Sequence, residues 1–307
     1  MDSAENAAAY IQVRHQAVWE LAATSLVLRG ESAVDPTLYE AATEVAVTAG
    51  LCVVVDGTVR LAPGVEALVE QRGSERTMVA AQTAAPVLQA AAVLGGTRVW
   101  EDQDDEALLA QGRASAQAAA QFKRFAIPAM DGLDELLAAP GCTMLDVGVG
   151  VAAMAIAYCQ VFPTLRVVGI DLLPRALELA QEAVIAAGLE DRVELRHVDV
   201  AALDVVDAFC LAWLPAPFLP APALMAGIHR VAVALVPGGW VVVGHGKFDE
   251  DPAANAITRF QTAAFGGTAL DDGEAQRLLV DAGFERVSTL PTPPGSPGVT
   301  VGRRPAL

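Results

Sequence analysis

The sequence predicts an α/β protein, in which a mainly helical region precedes a doubly wound sheet of mostly parallel strands. Residues 143–153 read as a buried strand that breaks into a glycine turn and then a helix. Branched apolar runs separated by helical stretches follow, and acidic residues stand at the ends of two of these runs. Earlier in the chain, helical stretches lead to an Asp-Gly hairpin signal at residues 51–61.

The glycine turn contains Asp146, Gly148 and Gly150. Glycines let the backbone approach a ligand closely, and the free amides at the start of the next helix attract polar or anionic groups. Such a turn also occurs as an ordinary connection between a strand and a helix, so its meaning depends on the residues that follow.

Two acidic residues follow at the ends of predicted strands. Residues 165–171 form the second strand and end at Asp171, while residues 192–198 form the third and lead to Asp199. An acid at the carboxyl edge, about twenty residues beyond the glycines, can accept hydrogen bonds from ribose hydroxyls. The alternative for Asp171 is a cap on the helix that begins near Pro174.

The remaining pattern completes the sheet. A fourth strand at residues 208–212 runs into an apolar, proline-rich loop at residues 213–220, and a helix follows. A Pro-Gly-Gly turn, Pro237 to Gly239, precedes a fifth strand at residues 240–244. A helix near residues 274–282 and two strands, at residues 284–289 and 298–303, close the chain.

With these motifs in this order, the chain resembles the class I S-adenosylmethionine-dependent methyltransferases over roughly its last 180 residues. The family's first motif, an acid followed by spaced glycines, matches Asp146 to Gly150, with Ala152 where a third glycine often stands. Its ribose-binding acid matches Asp171, its adenine-contacting acid matches Asp199, and its Pro-Gly-Gly turn matches Pro237 to Gly239. The resemblance implies a Rossmann-like seven-stranded methyltransferase fold, S-adenosylmethionine as cofactor and S-adenosylhomocysteine as product.

The cofactor-binding residues that the resemblance implies are Asp146, Gly148, Gly150, Asp171, Leu172, Asp199, Val200, Ala212 and Trp213. A nicotinamide-dependent oxidoreductase is the rival within the same class of fold. Asp146 argues against it, because an acid on the first strand suits the ammonium group of a methionine moiety. Asp199 and the Pro-Gly-Gly turn have no role in that rival.

Substrate binding is predicted for Trp213, Phe218, His245 and Phe260. Related O-methyltransferases carry a His-Asp-Trp motif after the fourth strand, which residues 213–218 lack, so methyl transfer is expected to rest on proximity and orientation. His245, between two glycines at the ligand edge, is the candidate catalytic base, and a loop or supporting role is its alternative. Residues 249–272, with Arg259, Phe260 and Phe265, are expected to line or cover the substrate, or else to pack in the core.

The first 72 residues suggest a winged helix, which usually binds DNA, but they contain ten acidic and four basic residues. The arrangement resembles the dimerisation domain of small-molecule O-methyltransferases. We therefore expect a winged-helix-like dimerisation domain at residues 1–95 and a homodimer. The methyltransferase domain is expected at residues 96–307, with approach helices at 96–139 and the core at 140–307. A winged-helix regulator that binds S-adenosylmethionine without catalysis is the alternative.

Composition bounds the setting of the protein. The 307 residues are 53% hydrophobic, with mean hydropathy +0.40 and a net charge of −17, which predicts a globular chain that does not bind nucleic acid. No apolar run is long enough to span a bilayer, and the first residues lack a secretion signal, so we expect a cytoplasmic protein without membrane contact. The acidic loop at residues 100–105 is predicted to be a solvated surface, with no metal bound.

The four cysteines, Cys52, Cys142, Cys159 and Cys210, stand singly without metal-ligand or redox spacing and are predicted to be small buried side chains. The predicted function is methyl transfer from S-adenosylmethionine to a small molecule or modified peptide of specialised metabolism. Oxygen, in a carboxylate or hydroxyl group, is the favoured acceptor, and nitrogen or carbon acceptors are the alternatives.

Overall fold

The computed structural model describes residues 4–29, 35–72, 76–94, 100, 104–116, 118–292 and 296–306. The predicted domain boundary at residues 95 and 96, and residues 101–103 of the acidic loop, lie outside this described part. The chain divides into two compact units. One contains Met1–Gly95 and Leu109–Gln117, and the other contains Gly96–Leu108 and Ala118–Leu307. Residues 109–117, predicted as part of the approach to the second domain, therefore cluster with the first unit.

The first unit is built from helices and one hairpin. Its elements are α1 (Ala4–Arg29), α2 (Pro36–Thr48), β1 (Cys52–Val55), β2 (Thr58–Leu61), α3 (Pro63–Arg72), α4 (Arg76–Leu94) and the end of α5 (Asp105–Ser115). Asp35 caps α2 by accepting from the Leu38 amide, and Pro36 stands at the first helical position. Asp56 (φ 50°) and Gly57 (φ 74°) both adopt positive φ, as a two-residue type I′ turn requires, so the predicted hairpin is confirmed.

The second unit contains a seven-stranded sheet with the order β5-β4-β3-β6-β7-β9-β8. Its strands are β3 (Thr143–Val147), β4 (Arg166–Asp171), β5 (Val193–His197), β6 (Phe209–Pro215), β7 (Leu235–His245), β8 (Glu285–Leu290) and β9 (Gly298–Arg303). Its helices are α6 (Ala118–Gln121), α7 (Leu133–Ala138), α8 (Ala153–Val161), α9 (Pro174–Ala186), α10 (Ala221–Ala234), α11 (Pro252–Ala264) and α12 (Asp272–Asp281), with the start of α5.

The strand directions follow the predicted fold class. β5, β4, β3, β6 and β7 pair in parallel, whereas β9 runs antiparallel to both β7 and β8. The Rossmann-like seven-stranded fold with a terminal antiparallel hairpin is therefore confirmed. The carboxyl ends of the parallel strands meet at one edge, which is where such sheets bind ligands.

The approach to the sheet differs from the continuous helical stretch that residues 106–125 predict. Among the described residues there, α5 ends at Ser115, α6 has only four residues, and a single π turn covers Phe122–Ala126. A 3-10 turn then covers Ile127–Ala129. Pro128 explains why the π turn does not continue as an α-helix beyond Ala126. Proline has no amide proton to donate, and its ring clashes with the preceding helical turn.

Two predicted boundaries around β6 and β7 are wrong. β6 continues to Pro215, because Trp213 to Pro215 pair with β7, so the loop predicted to start at residue 213 starts at residue 216. The Pro237 to Gly239 segment is not a turn before the strand but a bulge inside β7. Phe209 faces Leu235 while Leu211 faces Trp240, so the residues between them bulge, with Gly238 at φ 80°.

The prediction that all four cysteines stand alone is also wrong. Cys142 and Cys210 form a disulfide, with Cα atoms 5.8 Å apart, whereas the side chains of Cys52 and Cys159 are buried as predicted. Met144 faces Leu211 in the parallel pairing of β3 and β6, which brings the two cysteines together at the amino-terminal ends of these strands. A separation of 68 residues gives no sequence signal for this pairing.

We expect the disulfide to stabilise the folded protein by roughly 2–4 kcal/mol, because it closes a long loop in the unfolded chain. The double variant Cys142→Ala, Cys210→Ala should unfold at a lower urea concentration than the oxidised wild type. Adding dithiothreitol should lower the urea midpoint of the wild type towards that of the variant. The midpoint of the variant should stay unchanged. A wild type whose unfolding midpoint is the same with and without the reductant would contradict the expectation.

Candidate cofactor and acceptor site

The glycine turn after β3 folds back over β4. The amides of Gly148 and Val149 donate to the Ile170 carbonyl at 2.9 and 3.0 Å. Gly148 and Gly150 have φ of 68° and 56°, in the left-handed region that favours glycine. Ala152 adopts φ 60° and precedes α8 without a side-chain cap, so the first-turn amides of α8 receive no side-chain acceptor from that position.

Gly169 on β4 is a further residue of this site, beyond those that the sequence predicts. A Cβ atom there would lie 2.5 Å from Cγ2 of Val149, so only glycine lets the turn pack this closely on β4. The signal was a glycine inside an otherwise branched strand, which often marks a close approach of another backbone.

Asp146 lies in the middle of the sheet and is fully buried. It is flanked in register by Gly169 on β4 and Trp213 on β6. Among the residues that the structure describes, neither carboxyl oxygen has a hydrogen-bond partner. Burial, and secondly the nearby Asp171, raise the pKa of Asp146 from its ordinary 3.8 to about 8. A cationic group placed beside it would supply the missing partner, which fits the ammonium end of a methionine moiety.

Tyr158 of α8 shares this environment. Its side chain is buried, and burial together with the charge of Asp146 raises the pKa of the Tyr158 hydroxyl. Its ring lies 5.6 Å from that of Phe122 in the π turn, so this turn packs over the same region. Nothing in the sequence pattern distinguished Tyr158 from an ordinary core aromatic.

Asp171 at the end of β4 holds the glycine turn. Its Oδ2 accepts from the Gly150 amide at 2.8 Å and its Oδ1 accepts from the Leu173 amide at 2.9 Å. The structure places Leu173 at the cap position of α9, so Asp171 is not the helix cap that was its alternative. His197 contacts the Leu172 carbonyl at 3.1 Å, which ties the end of β5 to the residues after Asp171.

Asp199 stands after β5, along the same edge. Its Oδ1 accepts from the Ala201 amide at 2.8 Å and so begins a 3-10 turn over Val200–Ala202. The second carboxyl oxygen of a group bonded in this way can still accept from a ligand. The structure thus brings Asp146, Asp171 and Asp199 to neighbouring strands, at the edge where the prediction put them.

The other predicted cofactor residues differ in placement. Leu172 is exposed, at 54% of its surface. The side chains of Val200 and Ala212 are buried in a cluster with Leu145 and Val147, on the opposite face of the sheet from Asp146. Any contact that Val200 or Ala212 makes with a ligand at the strand ends therefore has to come from the backbone.

Three aromatic rings come together on the predicted acceptor side of the second unit. Trp100, Phe218 and Phe265 have ring centroids 5.2 to 5.5 Å apart. The Trp100 Nε1 is buried and has no hydrogen-bond partner among the described residues. The Thr268 amide donates to the Ala216 carbonyl at 2.8 Å, which ties the segment after α11 to the turn before α10. Trp100 begins the acidic loop predicted to be a solvated surface, but its ring packs against Phe218 and Phe265 instead.

Three further residues predicted on the acceptor side differ in their burial and contacts. Trp213 packs against the backbone of β7, since a Cβ at Gly244 would lie 2.6 Å from its Cη2. Phe260 on α11 is 63% exposed and is not one of the three packed rings. His245 ends β7 and is completely buried, with Nδ1 2.8 Å from the Gly246 carbonyl and Nε2 2.9 Å from the Thr300 hydroxyl.

Within the part of the chain that the structure describes, no three His, Cys, Asp or Glu side chains are grouped to hold a metal ion. Over the same residues, none of the helices combines the length and apolar character needed to cross a membrane.

Comparisons with known proteins agree with this architecture. Residues 144–239, from β3 into β7, match the family model described as a methyltransferase domain. Residues 144–239 of the second unit therefore have the sequence of a methyltransferase domain. Such domains take the methyl group from S-adenosylmethionine, and a solved structure of human N-acetylserotonin methyltransferase with this cofactor resembles the chain (TM-score 0.63, 15% identity, 98% of this chain and 96% of that one).

Two further methyltransferases are similar to this chain, one in fold and one in sequence. Mitomycin 7-O-methyltransferase shares the fold with a TM-score of 0.61 and 21% identity, over 98% of this chain and 99% of that one. The release factor glutamine methyltransferase of Cereibacter sphaeroides is 33% identical over 193 residues. That match covers 58% of this chain and 66% of the relative, just under two thirds of its length.

The buried carboxyl of Asp146 makes the stability of the free protein depend on pH. In the unfolded chain Asp146 ionises near its ordinary pKa, whereas in the fold it keeps its proton up to about pH 8. The folded state therefore binds more protons between these values, and its stability falls as pH rises through this window. The asparagine side chain of the Asp146→Asn variant does not ionise, so the variant does not lose stability from this group as pH rises.

We expect the free energy of unfolding of Asp146→Asn, relative to wild type, to rise by up to about 4 kcal/mol between pH 5 and pH 8. Urea unfolding without cofactor at the two pH values measures it. The matched control is Asp204→Asn, which removes an exposed carboxylate and should show little pH-dependent difference. A difference between Asp146→Asn and wild type that is the same at both pH values would contradict the assignment.

Proposed function

We propose that the whole chain transfers the methyl group of S-adenosylmethionine to a small molecule or modified peptide of specialised metabolism, with an oxygen acceptor favoured. The observation that supports this most is the buried, unpartnered Asp146 beside the glycine turn. An uncompensated acid in the middle of a sheet is costly, and a cationic ligand group there removes the cost. Asp171 and Asp199 on the neighbouring strand ends fit the rest of a nucleoside.

Each residue has a distinct role in this proposal. Asp146 faces the ammonium group, and the turn at Gly148 and Gly150 lets the backbone lie close to the methionine moiety. Asp171 accepts from the ribose hydroxyls, for which its two oxygens retain free lone pairs beside the Gly150 and Leu173 amides. Asp199 accepts from the adenine side. S-adenosylmethionine supplies an electrophilic methyl group when bound, and the chain orients an acceptor in line with it and excludes water.

The acceptor proposal rests on the aromatic and apolar lining of the other side of the site. Trp213, Phe218 and Phe265 present packed apolar surface, which suits a small organic acceptor. Both ring nitrogens of His245 already have partners in the chain. A carboxylate acceptor needs no proton removed at neutral pH, so it matches a site that works by proximity.

A second candidate is a nitrogen acceptor. The 33% identity to a release factor glutamine methyltransferase favours it, because that enzyme is named for a glutamine substrate. A third candidate, a non-catalytic regulator that binds S-adenosylmethionine, would bind duplex DNA through the first unit. The six-residue excess of acidic over basic groups in the first 72 residues argues against that candidate.

We also propose that the first unit is a winged-helix-like dimerisation domain and that the protein is a homodimer. Support comes from α1, where Tyr10, Ile11, Val18 and Leu21 share one face and are 38% to 66% exposed. A mass near twice 31.8 kDa by light scattering is expected. A cytoplasmic location also stays a proposal, and the Cys142–Cys210 disulfide weighs against it because cytosolic disulfides are uncommon.

The core of the proposal predicts binding of S-adenosylhomocysteine. Calorimetric titration should show binding by the wild type and a loss of at least about tenfold in affinity for Asp171→Ala, which removes charge-assisted acceptors. Asp146→Asn should also weaken binding, since a neutral amide does not compensate a cation. Asp191→Ala, at an exposed acid beyond α9, is the control and should bind as wild type does. No binding by the wild type would refute the proposal, as would unchanged affinity in Asp171→Ala.

The acceptor is tested by incubating the protein with S-adenosylmethionine carrying a labelled methyl group and a panel of carboxylates, phenols, amines, indoles and glutamine peptides. We expect label in a carboxylate or hydroxyl compound, because the acceptor side offers apolar surface and a buried histidine with both nitrogens engaged. Base-labile label identifies a carboxyl ester. Label in amines or glutamine peptides alone would replace the oxygen proposal with the nitrogen candidate.

A further inference from the structure

A chain of hydrogen bonds runs from α12 through the terminal hairpin to the end of β7. Gln276 Nε2 lies 3.0 Å from Thr289 Oγ1, which lies 2.9 Å from Thr300 Oγ1. Thr300 Oγ1 lies 2.9 Å from His245 Nε2, and His245 Nδ1 lies 2.8 Å from the Gly246 carbonyl oxygen. His245 and Thr300 are both completely buried.

The chemistry of these groups decides which group donates and which accepts in each hydrogen bond of the series. A carbonyl oxygen only accepts, so His245 must carry a proton on Nδ1 to bond Gly246. In the neutral ring Nε2 is then an acceptor, and Thr300 must donate to it. Thr300 has a single hydroxyl proton, so it accepts from Thr289, and Thr289 in turn accepts from Gln276. Every group has a role compatible with its partners.

A doubly protonated His245 does not fit the same surroundings. The acid nearest to it in the structure, Asp272, has Oδ1 3.9 Å from Nδ1, which is too far for a hydrogen bond, and its side chain is 59% exposed. A cation buried between a carbonyl and a threonine hydroxyl would be poorly compensated. For the neutral ring, the arrangement therefore fixes the tautomer that carries its proton on Nδ1.

Packing holds the ring and the following residue in place. A Cβ atom at Gly298 of β9 would clash with the His245 ring, so the ring lies directly on that backbone. A Cβ at Gly246 would lie 2.7 Å from Cγ2 of Thr258 on α11. Gly246 is thus confined between the His245 side chain and α11, at the start of the segment that leaves β7.

This point of the fold lies close to the candidate site. Gly244 lies against the Trp213 ring and pairs with Pro215 of β6. Pro215 in turn is near the glycine turn, because a Cβ at Gly148 would lie 3.6 Å from its Cγ. Two short contacts therefore separate the end of β7 from the turn proposed to hold the cofactor.

We propose that His245 is a positioning residue, held as the neutral Nδ1–H ring by the hydrogen-bond chain from Gln276, and that it fixes Gly246 and the segment beside the methyl-acceptor site. The identification of the neighbouring site as the methyl-acceptor site rests on the proposed function. The hydrogen bonds of His245 do not depend on that function. Nε2 faces Thr300 rather than a substrate, so the ring orients the segment after β7 instead of removing a proton.

The first test is nitrogen-15 NMR of histidine-labelled, cofactor-free protein at pH 7.5, with the signals assigned through a His245→Gln variant. We expect His245 to show a protonated Nδ1 and an unprotonated Nε2. Thr300→Val, which removes the donor to Nε2, should shift the Nε2 signal, and Thr300→Ser should restore it. A protonated Nε2 in the wild type would overturn the proposal.

The second test is hydrogen exchange of amides in residues 244–251, measured by mass spectrometry. Thr300→Val should speed exchange there about tenfold through loss of the bond that orients the ring, and Thr300→Ser should return it to within about twofold. Thr24→Val, which removes another buried threonine hydroxyl in α1, is the control and should leave this segment unchanged. Equal exchange in wild type and Thr300→Val would overturn the positioning role.

S-adenosylhomocysteine titration of Thr300→Val separates this inference from the proposed function. Affinity within about twofold of wild type, combined with faster exchange at residues 244–251, supports a role confined to the acceptor side. A large loss of affinity would show that the hydrogen-bond chain from Gln276 to His245 supports the cofactor pocket instead. That result would overturn the acceptor-side assignment. If the wild type itself does not bind, the proposed function fails while the NMR result still decides the state of the His245 ring.

Discussion

The buried carboxyl of Asp146 is the constraint around which the second unit is arranged. It stands on the central strand β3, with no side chain at Gly169 on one side and an apolar ring at Trp213 on the other. Neither oxygen has a partner in the described part of the chain, although nearly all buried polar groups in folded proteins have one. The surrounding sequence therefore leaves the acid unsatisfied in the free protein, and this makes a cationic ligand group the natural complement.

Protein contacts join several elements at the opposite edge of the sheet. The Cys142–Cys210 disulfide joins the amino ends of β3 and β6. Arg192 donates to the carbonyls of Cys159, Phe162 and Pro163, and so satisfies groups that the end of α8 leaves free. The disulfide and these hydrogen bonds lie at the amino ends of the strands, whereas Asp146, Asp171 and Asp199 stand towards the carboxyl ends, which supports the proposed ligand position there.

The sequence predicts the parts of this architecture that depend on local chemistry. The Asp-Gly turn, the glycine turn after β3, and the acids at the ends of β4 and β5 are each encoded within a few residues, because φ preferences and strand periodicity act locally. The disulfide, the Thr300 partner of His245 and the aromatic contacts of Trp100 join residues far apart in the chain. The bulge at Gly238 arises where β7 pairs with β6. The Pro-Gly-Gly sequence predicts a turn, but this tertiary pairing keeps the segment inside the strand.

The identity of residue 146 shows how function and stability oppose each other here. An asparagine would fit the same space and avoid the cost of ionisation, so folding alone gives no reason for an acid on β3. An aspartate is useful only if a positive charge arrives beside it, because a buried ion pair requires both partners. Asp171 increases the cost of ionising Asp146 in the free protein, yet it holds Gly150 and with it the turn. Burial and the nearby Asp171 therefore keep Asp146 protonated at neutral pH in the free protein, and a positive charge beside it would favour its ionised form. On this argument we expect the free site to prefer a cationic group over a neutral one.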